Sequence, residues 1–213
     1  AGIILIATGV TAKHIETIHS IKIPVLIIAQ EAEQFNCIIN DDYRAGFEMG
    51  QYIAGKGHES VAYLGVTESD IAVGQKRKQG IIEGLAEGGV RDIKTFLTEF
   101  NFQDASRVTQ ELLDSFEPSA IICATDTIAF GALKTLLRFG KKVPEDVSLA
   151  GFGGYNISEV IHPSMTTIRF NNEATGVMAA NTIVRMTNEE EVPQLQVSSF
   201  TFIEGESVKK VGH

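Results

Sequence analysis

The segment VPEDVSLAGFGGYNISEVIHPSMTTIRF, residues 143–170, contains the clearest sign of the fold. Val147–Ala150 is a short apolar run typical of a buried strand, and Gly151, Gly153 and Gly154 follow where that strand ends. The carboxyl ends of parallel strands are where α/β folds place polar ligand contacts. The segment therefore predicts a ligand-facing strand end at which glycines stand in place of a carboxylate.

Similar apolar runs recur along the chain and alternate with amphipathic stretches of helical length. Because the runs are apolar throughout, they fit strands that are buried on both faces, as in parallel sheets. The predicted strands are Ile3–Ile6, Val25–Ile28, Cys37–Ile39, Val61–Leu64, Ala120–Cys123 and Val147–Ala150, with helices at 12–20, 42–55, 74–88, 103–116, 127–139 and 172–187. The alternating segment QVSSFTFIEGES, residues 196–207, is predicted to be a further strand with one exposed face. The pattern predicts a doubly wound α/β protein.

Composition excludes several classes of function. The 213 residues carry a formal net charge of −9, which argues against nucleic-acid binding by this chain alone because phosphate contacts need clustered Lys and Arg. Cys37 and Cys123 lie in apolar runs and are expected to be buried free thiols, which indicates a reducing, cytoplasmic compartment. No stretch reaches the roughly 18 apolar residues of a membrane span. The opening AGIILIA lacks the flanks of a signal peptide and indicates a chain that begins inside a fold.

Signatures of enzymes and metal sites are absent from the sequence. No segment matches a phosphate-binding loop or a dinucleotide-binding fingerprint, and no strand-elbow motif presents a serine nucleophile. The five histidines are scattered, and the two cysteines are too far apart for a zinc knuckle. We therefore expect no catalytic residues, no metal and no cofactor.

Polar and aromatic side chains follow several of the predicted strands. An arginine, hydroxyl and amide groups, and an aromatic face together suit a sugar, whose hydroxyls need paired donors and acceptors while its C–H face packs on a ring. These residues would meet at the carboxyl edge of a parallel sheet, which is the usual ligand cleft. The set comprises Asp70, Arg77, Asn101, Phe102, Thr125 and Asp126.

Each member of this set also has a purely structural interpretation. Arg77 could be a solvated charge on a helix, and Phe102 could be a core aromatic. Asp126 stands where a helix cap belongs, and Asp70 stands where a turn is expected. The residues alone leave both interpretations open.

Several stretches resemble the LacI/GalR (lactose/galactose repressor) family. They follow the order and spacing of the family motifs over nearly the whole chain, which makes the resemblance specific. The matching stretches are INDDYRAGFEMGQYIAGKGHESVAYLG (39–65), RKQGIIEGL (77–85), PSAIICATDTIAFGAL (118–133), GKKVPEDVSLAGFGG (140–154) and PSMTTIRF (163–170). Within the family, IIAQ, AGFGGY and TTIRFNNE look most like the branch of sucrose-operon repressors.

The resemblance implies a periplasmic-binding-protein-like fold with two α/β lobes around a cleft. By analogy the chain crosses between lobes near Gly57–Glu59, near Phe170 and near Glu190–Val192. The amino-proximal lobe would then comprise residues 1–58 and 170–189, and the carboxy-proximal lobe residues 59–169 and 190–213. The family's DNA-binding headpiece and the first strands of the amino-proximal lobe have no counterpart in this chain.

The resemblance also implies a function and partners. Sucrose or a related sugar or sugar phosphate would bind between the lobes and change the affinity of an attached headpiece for operator DNA. The family forms homodimers through both lobes and does not act at membranes. An extracytoplasmic sugar receptor of a transporter is the alternative with the same lobes, and an α/β enzyme acting on a sugar phosphate is a third.

Site residues follow from the family motifs position by position. Arg77 matches the arginine that grips effector hydroxyls or carboxylates, and we expect it at a wet cleft edge. Phe102 matches the aromatic that stacks on the effector. Thr125 stands where many members have asparagine, and Asp126 is expected to cap a helix and is a candidate effector contact.

Two acidic positions of the family cleft are neutral in this chain. Gln30 stands at the end of a strand where the family has an acid, and Gly153 replaces the first Asp of the motif GfDd. Because Gly153 has no side chain to accept a hydroxyl, Asp70, Asn101 or Tyr155 is expected to take over that role.

Overall fold

The computed structural model describes residues 1–212, which form two sheets flanked by helices. In chain order the elements are β1 (Ile3–Ile6), α1 (Ala12–Ser20), β2 (Val25–Ile28), β3 (Asn36–Asn40), α2 (Asp42–Gly55), β4 (Ser60–Gly65), a π-helix (Ile71–Arg77), α3 (Lys78–Glu87), β5 (Asp92–Leu97), α4 (Phe102–Ser115), β6 (Ala120–Cys123), α5 (Asp126–Arg138), β7 (Ser148–Phe152), α6 (Asn156–Val160), β8 (Thr166–Phe170), α7 (Asn172–Thr187), β9 (Leu195–Ser198) and β10 (Phe200–Ile203). The predicted α/β class with two parallel-sheet lobes is confirmed.

The amino-proximal lobe is built on the parallel sheet β1-β2-β3-β9. Successive residues of a strand point to opposite faces, so β2 needs apolar residues throughout. Val25 and Ile27 pack with Ile18 of α1 on one face, whereas Leu26 packs with Ala179 of α7 on the other. Burial on both faces explains why this strand reads as a continuous apolar run.

The carboxy-proximal lobe is built on the sheet β10-β8-β7-β6-β4-β5. Its strands are parallel except for the edge strand β10, which pairs antiparallel with β8. The lobe contains the larger apolar core, in which β4, β6 and β7 are almost completely buried.

Helices α2 and α3 approach each other so closely that their backbones touch. A Cβ atom added to Gly46 would lie 2.3 Å from the carbonyl oxygen of Arg77, and one added to Gly80 would lie 2.0 Å from the carbonyl oxygen of Tyr43. The same contact repeats one turn further along both helices at Gly50 and Gly84. No other residue fits this seam without moving the helices apart.

This packing places α2 in the carboxy-proximal lobe. Ala45, Met49 and Ile53 belong to the core of that lobe. The chain therefore makes its first crossing at Asn40–Asp42, directly after β3, rather than near Gly57–Glu59. The predicted boundary at residue 58 is wrong because an apolar helix face does not reveal which core it packs against.

The end of the chain also differs from the prediction. The segment 196–207 is not one strand: β9 pairs with β3 in the amino-proximal sheet, whereas β10 pairs with β8 in the other. The third crossing thus lies at Ser199, not near Glu190–Val192, and the second lies at Phe170–Asn172 between β8 and α7. The lobes are 1–40 with 172–198, and 42–170 with 200–212.

The described residues contain neither a helix that could span a membrane nor a cluster of potential metal ligands. Among residues 1–212, none of the helices combines the length and the apolar composition that a bilayer-spanning segment needs. Within the same range no cluster of three potential metal ligands occurs.

Cys37 and Cys123 are both free and buried, and burial raises the pKa of each thiol.

Candidate functional site

A cavity of about 740 Å³ lies between the two lobes. It opens at the carboxyl ends of β1, β2 and β3 on one side and beyond β4 on the other, where α/β sheets present their ligand contacts. The lining residues are Ala7, Thr8, Gly9, Thr11, Ala29, Gln30, Asn40, Asp42, Thr67, Ser69, Asp70, Ala72, Val73, Arg77 and Phe100. Both lobes contribute, so a ligand bound here would contact the two together.

Arg77 forms the charged floor of this cavity. Its Nε lies 2.9 Å from Oδ1 of Asp42, a second guanidinium nitrogen donates to the same oxygen, and Nη1 donates to the carbonyl of Ala124 at 2.5 Å. The guanidinium carbon stacks on the rings of Phe152 and Phe170, at 4.8 and 5.1 Å from their centroids. Arg77 is only 5% exposed, so the prediction of a wet cleft edge is wrong.

A π-helix brings Arg77 to this position. It runs from Ile71 to Arg77 and starts at Asp70, whose side chain accepts the N–H of Val73 at 2.9 Å. A Cβ atom at Gly74 would lie 2.0 Å from the carbonyl oxygen of Thr67, so the turn packs directly on the preceding loop. π-helical turns are rare and frequently occur at functional sites.

Gln30 and Asp70 form a direct contact between the lobes. Nε2 of Gln30 donates to Oδ1 of Asp70 at 3.3 Å and to the carbonyl of Thr8 at 3.1 Å. Both residues line the cavity and both are largely buried. An ion pair of 2.6 Å between Glu31 and Lys76 joins the lobes beside this hydrogen bond.

The aromatic side chain of the cavity is Phe100, not Phe102. Phe100 lines the cavity and is 45% exposed. Asn101 caps α4 by accepting the N–H of Asp104 at 2.8 Å, and Phe102 is the first residue of that helix. The ring of Phe102 faces Nζ of Lys134 on α5, at 4.8 Å. The structure thus assigns Asn101 and Phe102 to the helix start.

Thr125 and Asp126 also have structural roles, at the start of α5. Thr125 caps α5, its hydroxyl accepting the N–H of Ile128. Asp126, predicted to be the cap, is the first helical residue and is completely buried. Its carboxylate accepts the N–H of Gly154 at 2.8 Å and the hydroxyls of Ser158 and Thr167, each at 2.7 Å. This carboxylate fastens the glycine turn after β7 to α5 and β8.

The backbone conformation after β7 explains the two glycines at positions 153 and 154. Gly153 and Gly154 have φ angles of +142° and +60°, which residues with a side chain rarely adopt. A Cβ atom at Gly153 would lie 2.9 Å from Cζ of Tyr155. The ring of Tyr155 therefore lies where an aspartate of the family motif would project. Both residues line a second, polar cavity of about 600 Å³ that also includes Arg169.

Asp42 and Phe100 are lining residues that the sequence patterns did not single out. Asp42, the partner of Arg77, is the second acid of NDDYR and lies two residues after β3, so the strand-end rule that selected Asp70 also selects it. Phe100 lies two residues before the predicted aromatic, Phe102.

The chain matches known proteins in sequence and in fold. Residues 51–208 match the periplasmic binding protein-like domain. The chain is 36% identical over 194 residues to the sucrose operon repressor of Staphylococcus xylosus, with 91% of this chain and 60% of the relative covered. It is 26% identical over 196 residues to catabolite control protein A of Priestia megaterium, with 90% and 59% covered. The chain thus spans about 60% of the length of these curated relatives.

A solved structure shows the same fold. A LacI family transcriptional regulator from Enterococcus faecium with bound ribose superposes with a TM-score of 0.90 at 24% identity, covering 99% of this chain and 80% of the other. The named relatives are repressors and regulators rather than enzymes. The chain belongs to the periplasmic binding protein-like domain family and is homologous to the sucrose operon repressor and catabolite control protein A.

Proposed function

We propose that this chain is the effector-binding and dimerisation core of a sugar-responsive, DNA-binding transcriptional repressor. The cavity between the lobes carries the proposal, because it combines hydroxyl-binding groups from both lobes with an exposed aromatic ring. The 36% identity to a sucrose operon repressor supports the same function. The proposed effector is sucrose or a related sugar or sugar phosphate.

The lining groups suit a sugar. Hydroxyls of a ligand need both donors and acceptors, and the amides of Gln30 and Asn40 offer both. The carboxylate of Asp70 accepts, and Thr8 and Ser69 add hydroxyls. Large apolar side chains are few, but the half-exposed ring of Phe100 offers a face for the C–H groups of a sugar ring.

The lobe contacts supply the mechanism of response. The Gln30–Asp70 hydrogen bond and the Glu31–Lys76 ion pair hold the lobes in one arrangement. A sugar that binds this arrangement more tightly than another shifts the equilibrium by its difference in affinity, typically about 1–3 kcal/mol in allosteric proteins. In our proposal a headpiece carried elsewhere in the full-length cytoplasmic homodimer converts this shift into a change in operator affinity.

Calorimetric titration of the full-length protein with sucrose, fructose and their phosphates tests the proposal. At least one of them should release heat on binding and change operator affinity in a gel-shift assay. Phe100→Ala should weaken that binding at least about tenfold, whereas Phe139→Ala, at a ring of equal exposure outside the cavity lining, should leave it unchanged. The absence of heat with every sugar would disprove a sugar effector.

A further inference from the structure

The cavity has more acidic than basic side chains. Three ionisable residues line it: Asp42, Asp70 and Arg77. All three are more than nine-tenths buried, which limits the screening of their charges by water. Among the described residues of the lining, two carboxylates thus face one guanidinium.

The single guanidinium is already neutralised. Arg77 directs two nitrogens at Asp42 and one at the carbonyl of Ala124. Proteins commonly bind phosphate groups through an arginine fork. A phosphate, with a charge of about −1.5 to −2, would have to displace Asp42 from Arg77 or lie beside that carboxylate.

The helix starts beside the cavity are also occupied. Helix N-termini attract anions because their N–H groups are unpaired. Asp41 and Asp42 already stand at the start of α2, and Asp70 caps the π-helix. At the start of α1, the hydroxyl of Thr11 accepts the N–H of His14, and the ring of His14 accepts the N–H of Thr11. Each of these three starts thus has a first-turn N–H already paired with its own cap residue, and two of them carry carboxylates that repel a phosphate.

The lysines near the opening do not reverse this balance. Lys76 is paired with Glu31 at 2.6 Å, and Lys78 is paired with Glu68 at 2.7 Å. Each pair adds no net charge. An anionic ligand therefore meets an excess of negative charge. A neutral hydroxyl can donate to Oδ2 of Asp70, because Gln30 and Val73 both donate to Oδ1.

We propose that the cavity binds an uncharged sugar and discriminates against its phosphate ester, with Asp70 as the residue that determines this choice. The inference rests on the proposed function and narrows its ligand class. Asp70 would accept a ligand hydroxyl and repel a ligand phosphate at the same position.

Competitive titration of the full-length protein with sucrose and sucrose 6-phosphate tests this choice. We expect the ester to bind at least about tenfold more weakly than sucrose. Asp70→Asn removes the charge and keeps the size of the side chain, so it should bring the ratio of the two affinities closer to one. Asp92→Asn, at the opposite end of β4 and β5, should leave the ratio unchanged.

A second measurement needs no variant. Salt screens buried charges much less than exposed ones, so the preference for sucrose over the ester should persist when the salt concentration is raised. Equal or tighter binding of the ester overturns the proposal. A preference that is lost at high salt, or a ratio of affinities that Asp70→Asn leaves unchanged, overturns the role of Asp70. If neither compound binds, the same pair of measurements is repeated with ribose and ribose 5-phosphate. If none of the four compounds binds, the result contradicts the proposed function and not the preference for an uncharged sugar.

Discussion

Asp42 and Arg77 are 35 residues apart in the chain and form a buried ion pair at the floor of the interlobe cavity. Asp42 follows the first crossing between the lobes, and Arg77 ends the π-helix. The pair therefore joins the hinge to the binding site. It also changes what a substitution of Arg77 should do, because the arginine supports the fold as well as the cavity.

Arg77→Ala should destabilise the protein. It leaves the carboxylate of Asp42 buried without its partner, a change that typically costs about 3–5 kcal/mol. Urea unfolding followed by circular dichroism measures the loss. Arg44→Ala breaks an exposed pair with Glu48 and should cost less than about 1 kcal/mol. Equal stability of the two variants would contradict the structural role of Arg77.

Gly80→Ala should separate α2 from α3. The new methyl group would lie 2.0 Å from the carbonyl oxygen of Tyr43, and overpacking of this kind costs about 1–3 kcal/mol or more. Gly55→Ala is the matched control, because nothing lies within 4 Å of its Cβ position near the end of α2. Alanine there should leave stability unchanged or raise it by up to about 1 kcal/mol. Thermal unfolding of the two variants distinguishes these effects.

Gln30→Glu should open the lobes. It replaces the amide that donates to Asp70 with a second carboxylate, and like charges at this distance repel. Small-angle scattering should show a larger radius of gyration at pH 7 than for the unchanged protein. The double variant Gln30→Glu with Asp70→Asn removes the repulsion and should restore the compact form. An unchanged radius in the single variant would show that this contact does not hold the lobes.

Gly153→Asp should not restore a family-like site. The φ angle of +142° strains an aspartate by about 1–3 kcal/mol, and its Cβ would collide with the ring of Tyr155. Gly140→Asp tests a positive φ angle without a steric collision, since Gly140 has a φ of +71° and nothing lies within 4 Å of its Cβ position. Chemical denaturation should show the larger loss for Gly153→Asp. A smaller loss there would mean that Tyr155 moves away freely.

Much of the fold was predictable because its core strands are apolar on both faces. The predicted helices 12–20 and 172–187 coincide with α1 and α7, and the six predicted apolar strands lie within one or two residues of those observed. The lobe assignments of α2 and β9 were not predictable by pattern. An apolar helix face does not identify the core that it packs against. The alternation of polar and apolar residues breaks at Ser198 and Ser199, but such a break does not show that the two halves join different sheets.

The candidate site was predicted less well than the fold, for a geometric reason. Gln30 lies two residues after β2 and Asp70 five residues after β4, and both line the cavity. Phe100 and Phe102 are two residues apart, but the helix begins between them and directs their rings to different surroundings. Burial of Arg77 depends on Asp42, a long-range partner that spacing along the chain does not identify.

The three crossings between the lobes lie side by side. Asn40 is in register with Ser198 in the sheet, and the N–H of Asn171 donates to the carbonyl of Ser199 at 3.1 Å. Any rotation of one lobe against the other must pivot on these short segments, and Asp42 stands at their edge. A small displacement at a pivot is magnified with distance from it. A ligand that displaces Arg77 would therefore act close to this pivot. A small movement there would produce a large movement at the outer ends of both lobes.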